Sequence, residues 1–284
     1  MYLSYALHNN YDLWKEINMF FNEIRRGFNR KSVILVMLVI IILGILDTFN
    51  YSCYKSSDEI LNVYLKAYIF SSYDRFILFN SSIYSNILVL SLPILSSLCY
   101  SDSYLEDINS GFSNFIHTRK DKGRYLLSKF SANFIVSGIA ISIPILFNFI
   151  VLLARFPSIM TNKYIGNETV EITQLFPEVY YKHPIIYILM WIAIYFLFTG
   201  LFSSISLSLS IFVKNKITVV VLPFIVLQVI GIVLDIFGKY KYYPSSYLHT
   251  GLHKDIMIMI VEFGALFVVS FTVFLIGGKK YENI

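Results

Sequence analysis

Six long apolar stretches, at about residues 33–52, 76–99, 126–154, 185–213, 217–237 and 256–277, constrain this chain more than any other feature. Each approaches or exceeds the roughly 20 apolar residues with which a helix crosses the hydrocarbon core of a bilayer. The composition agrees. Of 284 residues, 56% are hydrophobic and only 14% charged, whereas a soluble domain carries about 25% charged residues. Backbone groups in lipid must be satisfied within helices or closed barrels, and no barrel-like alternation is present. The expected fold is an all-α membrane protein, with six transmembrane helices in a single domain over residues 1–284.

The first stretch follows a charged segment and no small-residue cleavage site comes after it, so it reads as a retained span. The net charge of +5 does not indicate nucleic-acid binding. It reflects which side of the membrane holds the cations. Arg25, Arg26, Arg30 and Lys31 precede the first span, and Arg119, Lys120, Lys122, Arg124 and Lys129 cluster at the start of the third. With six spans and the excess of Lys and Arg inside, both termini are expected in the cytoplasm of a bacterial cell membrane. Cys53 and Cys99 then lie near opposite faces of the bilayer, too far apart to pair.

Residues 11–28 place Leu13, Trp14, Ile17, Phe20, Phe21, Ile24 and Phe28 at helical spacing. Asp12, Lys15, Glu16, Asn22, Glu23 and Arg26 fall on the other face. This predicts an N-terminal amphipathic helix lying in the membrane interface with its aromatic stripe toward lipid. Span 2 carries Ser82 and Asn86 in its outer half, and span 5 carries Gln228. Polar side chains at membrane depth face protein or water, so these three are candidates for a translocation path. Gly200, Ser204 and Ser208 form a small-residue ridge suited to close helix packing. Only Lys214 to Lys216 join spans 4 and 5, which predicts an antiparallel hairpin.

Motifs for catalysis are missing. The chain has no G-x-x-x-x-G-K-[ST] phosphate loop, no H-E-x-x-H and no G-x-S-x-G. His249 and His253 have i, i+4 spacing but no third ligand nearby, so they read as interfacial residues. Glu262 is the lone charge of span 6. It lies about 9 Å from the start of that span at 1.5 Å per residue, and is an outer-side charge of interest with a structural role ranked first. No metal site and no cofactor are expected in this chain.

One polar stretch, 100–129, interrupts the oily background. Ser103-Tyr104-Leu105-Glu106 has the form of a capping box, and Asp102, Glu106 and Asp107 suit the start of a helix. Leu105, Ile108, Phe112, Phe115 and Ile116 follow at helical spacing. The pattern predicts a short cytoplasmic helix, 103–116, between spans 2 and 3. Its polar flank is acidic, whereas a helix resting on the anionic inner leaflet carries Lys or Arg. An apolar stripe with acidic flanks suits the groove of another protein.

With Asp102, Glu106, Gly111, Arg124, Tyr125 and Lys129 in the places of its loose loop pattern, the chain resembles the permease subunit of type-2 ABC transporters. The resemblance covers the whole chain in architecture and this loop in residues. Asn109-Ser110-Gly111 replaces the Gly-Thr pair found after the Glu in many members. The resemblance implies that 103–116 is a coupling helix docking into a separate ATP-binding subunit. Leu105, Glu106, Asp107, Ile108, Phe112, Phe115 and Ile116 would form that contact, and ATP and Mg would reside on the partner. It also implies a second permease chain, identical or similar, and export of an amphipathic or hydrophobic cargo such as a peptide, drug or lipid. Two other classes stand beside this reading: a membrane-embedded peptidase or transferase, and a stand-alone membrane immunity or binding protein.

Overall fold

The computed structural model describes residues 19–49, 71–80, 82–112, 122–159, 175–239, 242–248 and 255–281. Among them six helices are long and apolar enough to cross a membrane, and no strand is present. Span 1 is Lys31–Phe49, span 2 Ile83–Tyr100, span 3 Lys122–Arg155, span 4 Pro184–Leu209, span 5 Lys216–Ile236 and span 6 Ile256–Tyr281. Spans 3 and 4 form the centre. Spans 5 and 6 are peripheral, with only 22% and 11% of their apolar windows buried.

Small residues let the central helices meet. A Cβ on Gly138 of span 3 would lie 2.6 Å from the Phe196 ring of span 4, and one on Gly200 of span 4 would lie 2.8 Å from the Phe134 ring. The Gly200, Ser204 and Ser208 ridge is buried here, and the Ser208 hydroxyl donates to the Ser270 carbonyl of span 6 at 2.6 Å. Span 6 presents Phe263, Phe267 and Phe271 as a stacked row, against Phe130 and Phe134 of span 3 and Phe198 of span 4. Ser203 donates to Asn133 at 2.9 Å and accepts from Ser137 at 2.7 Å. These bonds satisfy groups that hydrocarbon would leave bare.

Span 2 starts later than its hydropathy suggests. Residues 71–80 form turns, and helix begins only at Ile83. Ser82 sets that start, because its hydroxyl accepts from the Ser85 amide at 3.0 Å and so caps the helix. The apolar residues 76–79 are buried instead in an aromatic plug over the bundle. Phe79 meets Tyr187 at 5.4 Å and Trp191 at 6.1 Å, and Phe76 meets Phe149 at 5.5 Å. Two acids anchor this plug. Asp74 accepts from Tyr180 at 2.7 Å, while Asp47 accepts from Asn80 at 2.6 Å and Ser82 at 2.5 Å.

The expected single helix 103–116 is shorter than its periodicity implies. It runs Ser103–Asn109, because Gly111 adopts a left-handed φ of 72°. Its amide bonds back to the Ile108 carbonyl at 3.1 Å, a glycine stop of the usual kind. The capping box is not formed. Asp102 occupies the N-cap without a side-chain cap bond, and the buried Ser103 hydroxyl has no hydrogen-bond partner. Glu106 is drawn to cations instead.

The N-terminal helix is described over 19–28, and 11–18 lie outside the described residues. Phe21 is exposed, as the stripe predicts, but Glu23 is buried together with Met19 and Gly27. Glu23 therefore belongs to the bundle-facing side rather than to a solvated polar face. Gly27 makes this possible, since a Cβ there would sit 2.7 Å from Val136 of span 3.

Candidate functional site: an ionic junction under the short helix

Among the described residues the largest concentration of buried charge lies where the N-terminal helix, the end of span 2, helix Ser103–Asn109 and the start of span 3 converge. Lys129 of span 3 is fully buried. A buried ammonium is tolerated only when paired and hydrogen-bonded. Here its Nζ lies 2.5 Å from Asp107 and 3.0 Å from Glu23. Asp107, also fully buried, meets Arg26 at 2.6 Å and accepts from the Tyr125 hydroxyl at 2.6 Å. Tyr100 closes the ring by donating to Glu23. Burial works against the charge on Arg26, yet the Asp107 carboxylate outweighs it and raises the guanidinium pKa above its ordinary value. Two anions and two cations thus neutralise each other, with Lys129, Asp107 and Glu23 buried and Arg26 partly open to solvent.

A second, more exposed group stands beside the first. Arg30 bonds both Asp102 and Glu106, and Lys216 at the start of span 5 reaches Glu106 at 2.5 Å. The short helix is thereby tied to the N-terminal segment, to span 3 and to span 5. Its apolar residues Tyr104 and Leu105 are both buried. Tyr104 packs against Phe274 of span 6 with ring centroids 5.2 Å apart.

The candidate contact residues separate into two sets. Leu105 and Asp107 face into the chain, so neither lies on the outer side of the helix. Glu106 is partly exposed between its two cations. Ile108 and Phe112 are 37% and 43% exposed, and Arg26 lies over the Phe112 ring at 5.4 Å. Phe115 and Ile116 lie outside the described residues. Of the candidate contact residues, Ile108 and Phe112 thus carry the exposed apolar surface.

The candidate path residues are not brought together in one group. Ser82 is committed to capping span 2 and to Asp47. Asn86 is exposed beside Ile83, Ile87 and Leu90, and Gln228 is half-buried on span 5. Glu262 is half-buried in the second turn of span 6, beside Tyr247. His249 and His253 lie outside the described residues. Cys99 is buried and free. Among the described residues no three His, Cys, Asp or Glu side chains are placed to hold a metal ion.

A scan against protein-family models and a search of curated proteins find no match for this chain. The junction therefore stands on its own geometry. Sequence reasoning placed Asp102, Glu106, Tyr125 and Lys129 in one loop pattern but left out Glu23, Arg26, Arg30 and Lys216 as their partners. The one available signal was charge balance: the acids after span 2 have a matching set of bases before span 1.

Proposed function

We propose that this chain is the membrane-spanning subunit of an ATP-driven exporter of the type-2 ABC kind, moving an amphipathic or hydrophobic cargo. Helix Ser103–Asn109 would be its docking element for a separate ATP-binding subunit. The observation that carries the reading is the double ionic clamp. A short helix between two spans needs no such anchoring to act as a turn. It does need it to pass force from a partner to spans 1, 3 and 5 without being pulled away. The exposed Ile108 and Phe112 supply the apolar surface, and the sequence continues it with Phe115 and Ile116. A second chain would complete the path, with Asn86 and Gln228 as its polar positions on spans 2 and 5.

The test is purification of the tagged chain from its native membranes, with the co-purifying proteins identified by mass spectrometry. The expected partner is a protein with a phosphate-loop motif in fixed ratio. Buried apolar anchors are worth about 2 kcal/mol or more each in an interface. Ile108→Ala combined with Phe112→Ala should therefore release that partner while leaving the chain in the membrane. Co-purification without any such ATPase, or retention of it by the double variant, would sink the docking role.

A further inference from the structure

Span 5 stands at the edge of the bundle, with only 22% of its apolar window buried, yet it carries an amide in mid-course. Between Thr218 and Asp235, Gln228 is its one polar side chain. Gln228 lies 12 residues from Lys216 and 8 from Ile236, about 18 and 12 Å along the helix. That is well inside a hydrocarbon core about 30 Å thick. The side chain is half-buried, and no hydrogen bond joins it to another described residue.

The other amides of the spans find partners or water. Asn148 donates to the Gly44 carbonyl at 3.1 Å, and Asn133 accepts from Ser203 at 2.9 Å. Asn86 is exposed, three residues from the start of span 2 and so only about 5 Å in, where interfacial water serves it. A hydroxyl facing lipid can serve itself, as Thr272 does by donating to the Val268 carbonyl at 2.9 Å. A primary amide brings two N–H donors and an acceptor oxygen. Acyl chains offer nothing to either, and an unpaired polar group in hydrocarbon is costly.

We infer that span 5 is the contact between two copies of this chain, joined within the hydrocarbon by Gln228 of each. Symmetry favours a second copy over any other helix. Copies inserted the same way round, about a two-fold axis along the membrane normal, hold every residue at the depth of its counterpart. Gln228 near that axis therefore meets its own kind, whereas an unrelated helix would need a polar group at the same depth. The amide is also self-complementary, since each gives an N–H and accepts one at its oxygen. Ile225 and Ile232, one turn to either side, are 50% and 60% exposed. Their branched side chains have little rotamer freedom to lose on packing. The inference deepens the proposed second permease chain and rests on that reading for its role, which is to close the path at that depth. The pairing itself needs no ATPase.

Single-molecule photobleaching tests it on the full chain, with one dye per chain, in phosphatidylcholine vesicles of falling protein density. Two-step bleaching should dominate. Gln228→Leu should raise the density at which half the chains are paired about tenfold, the reach of a hydrogen bond between membrane helices. Gln228→Asn, which keeps an amide, should recover most of the loss. The change to Leu only removes an amide from hydrocarbon, so the thermal midpoint should not fall with it. In a chain with Cys53→Ser and Cys99→Ala, Ile225→Cys or Ile232→Cys should form a disulfide between copies under an oxidant, which needs Cα atoms within about 7 Å. The exposed positions Leu35→Cys of span 1 and Ile260→Cys of span 6 should not. Single-step bleaching throughout, a pairing density unmoved by Gln228→Leu, or disulfides that favour position 35 or 260 would overturn the contact. Paired chains with no co-purifying ATPase would sink the exporter reading and leave this one standing. An ATPase bound in fixed ratio to chains that stay single would do the reverse.

Discussion

At the residue scale the junction turns on Asp107, whose carboxylate serves Lys129, Arg26 and Tyr125 together. Removing one member of a buried ion pair strands its partner and costs about 3–5 kcal/mol, whereas replacing both by apolar groups is often close to neutral. Asp107→Asn should therefore lower the thermal midpoint of the purified protein sharply. Asp107→Leu with Lys129→Met should be less damaging than the sum of its two single changes, because Glu23 remains for Arg26 at 3.9 Å. Thermal unfolding of the two singles and the double decides it. Strict additivity would mean that the charges do not act as a unit. Little of this was legible in the sequence. Glu23 and Lys129 lie 106 positions apart, and on a helical wheel Glu23 falls on the polar side. What buries it is the bare surface of Gly27 against Val136, a tertiary fact that periodicity does not contain.

At the element scale hydropathy was a good guide to the spans and a poor one to what joins them. Long apolar runs have one solution in lipid, so all six spans appear with ends within several residues of expectation. Between spans, local chemistry takes over. Phe76 to Phe79 extend the apolar run of span 2, yet the Ser82 cap starts the helix after them and they fold down as a plug. Leu105 to Ile116 continue a helical stripe through Gly111, yet that glycine ends the helix. Close packing of spans 3 and 4 yields a graded prediction. A methyl on Gly200 meets only the outer atoms of the Phe134 ring, while one on Gly138 meets both the Phe196 ring and, at 3.0 Å, the Phe196 carbonyl oxygen. A ring can swing aside but a backbone oxygen cannot. Overpacking costs about 1–3 kcal/mol, so Gly138→Ala should fall near the top of that range and Gly200→Ala near the bottom. Thermal midpoints in one detergent would show the order. Equal effects would mean that the interface yields uniformly.

For the whole molecule, orientation in the membrane is a matter of charge at the time of insertion. Arg26, Arg30, Lys129 and Lys216 are neutralised by Glu23, Asp102, Glu106 and Asp107 once the junction has formed, so its final net charge gives no orientation. Insertion precedes that pairing. During insertion Lys and Arg near span ends set the orientation, while Asp and Glu contribute little. The clusters at 25–31 and 119–129 should therefore hold the junction end in the cytoplasm even though their charges are later cancelled. In a chain with Cys53→Ser and Cys99→Ala, a single Cys at position 170 should react with a membrane-impermeant maleimide added to intact cells. A single Cys in place of Thr118 should react only after the cells are opened. Replacing Asp102, Glu106 and Asp107 by their amides should leave this pattern unchanged, although the folded protein loses stability. If instead the Thr118 position labels from outside, in the parent or in the amide variant, then the acids do take part in setting orientation. The basic clusters would not by themselves decide which end of the bundle faces the cytoplasm.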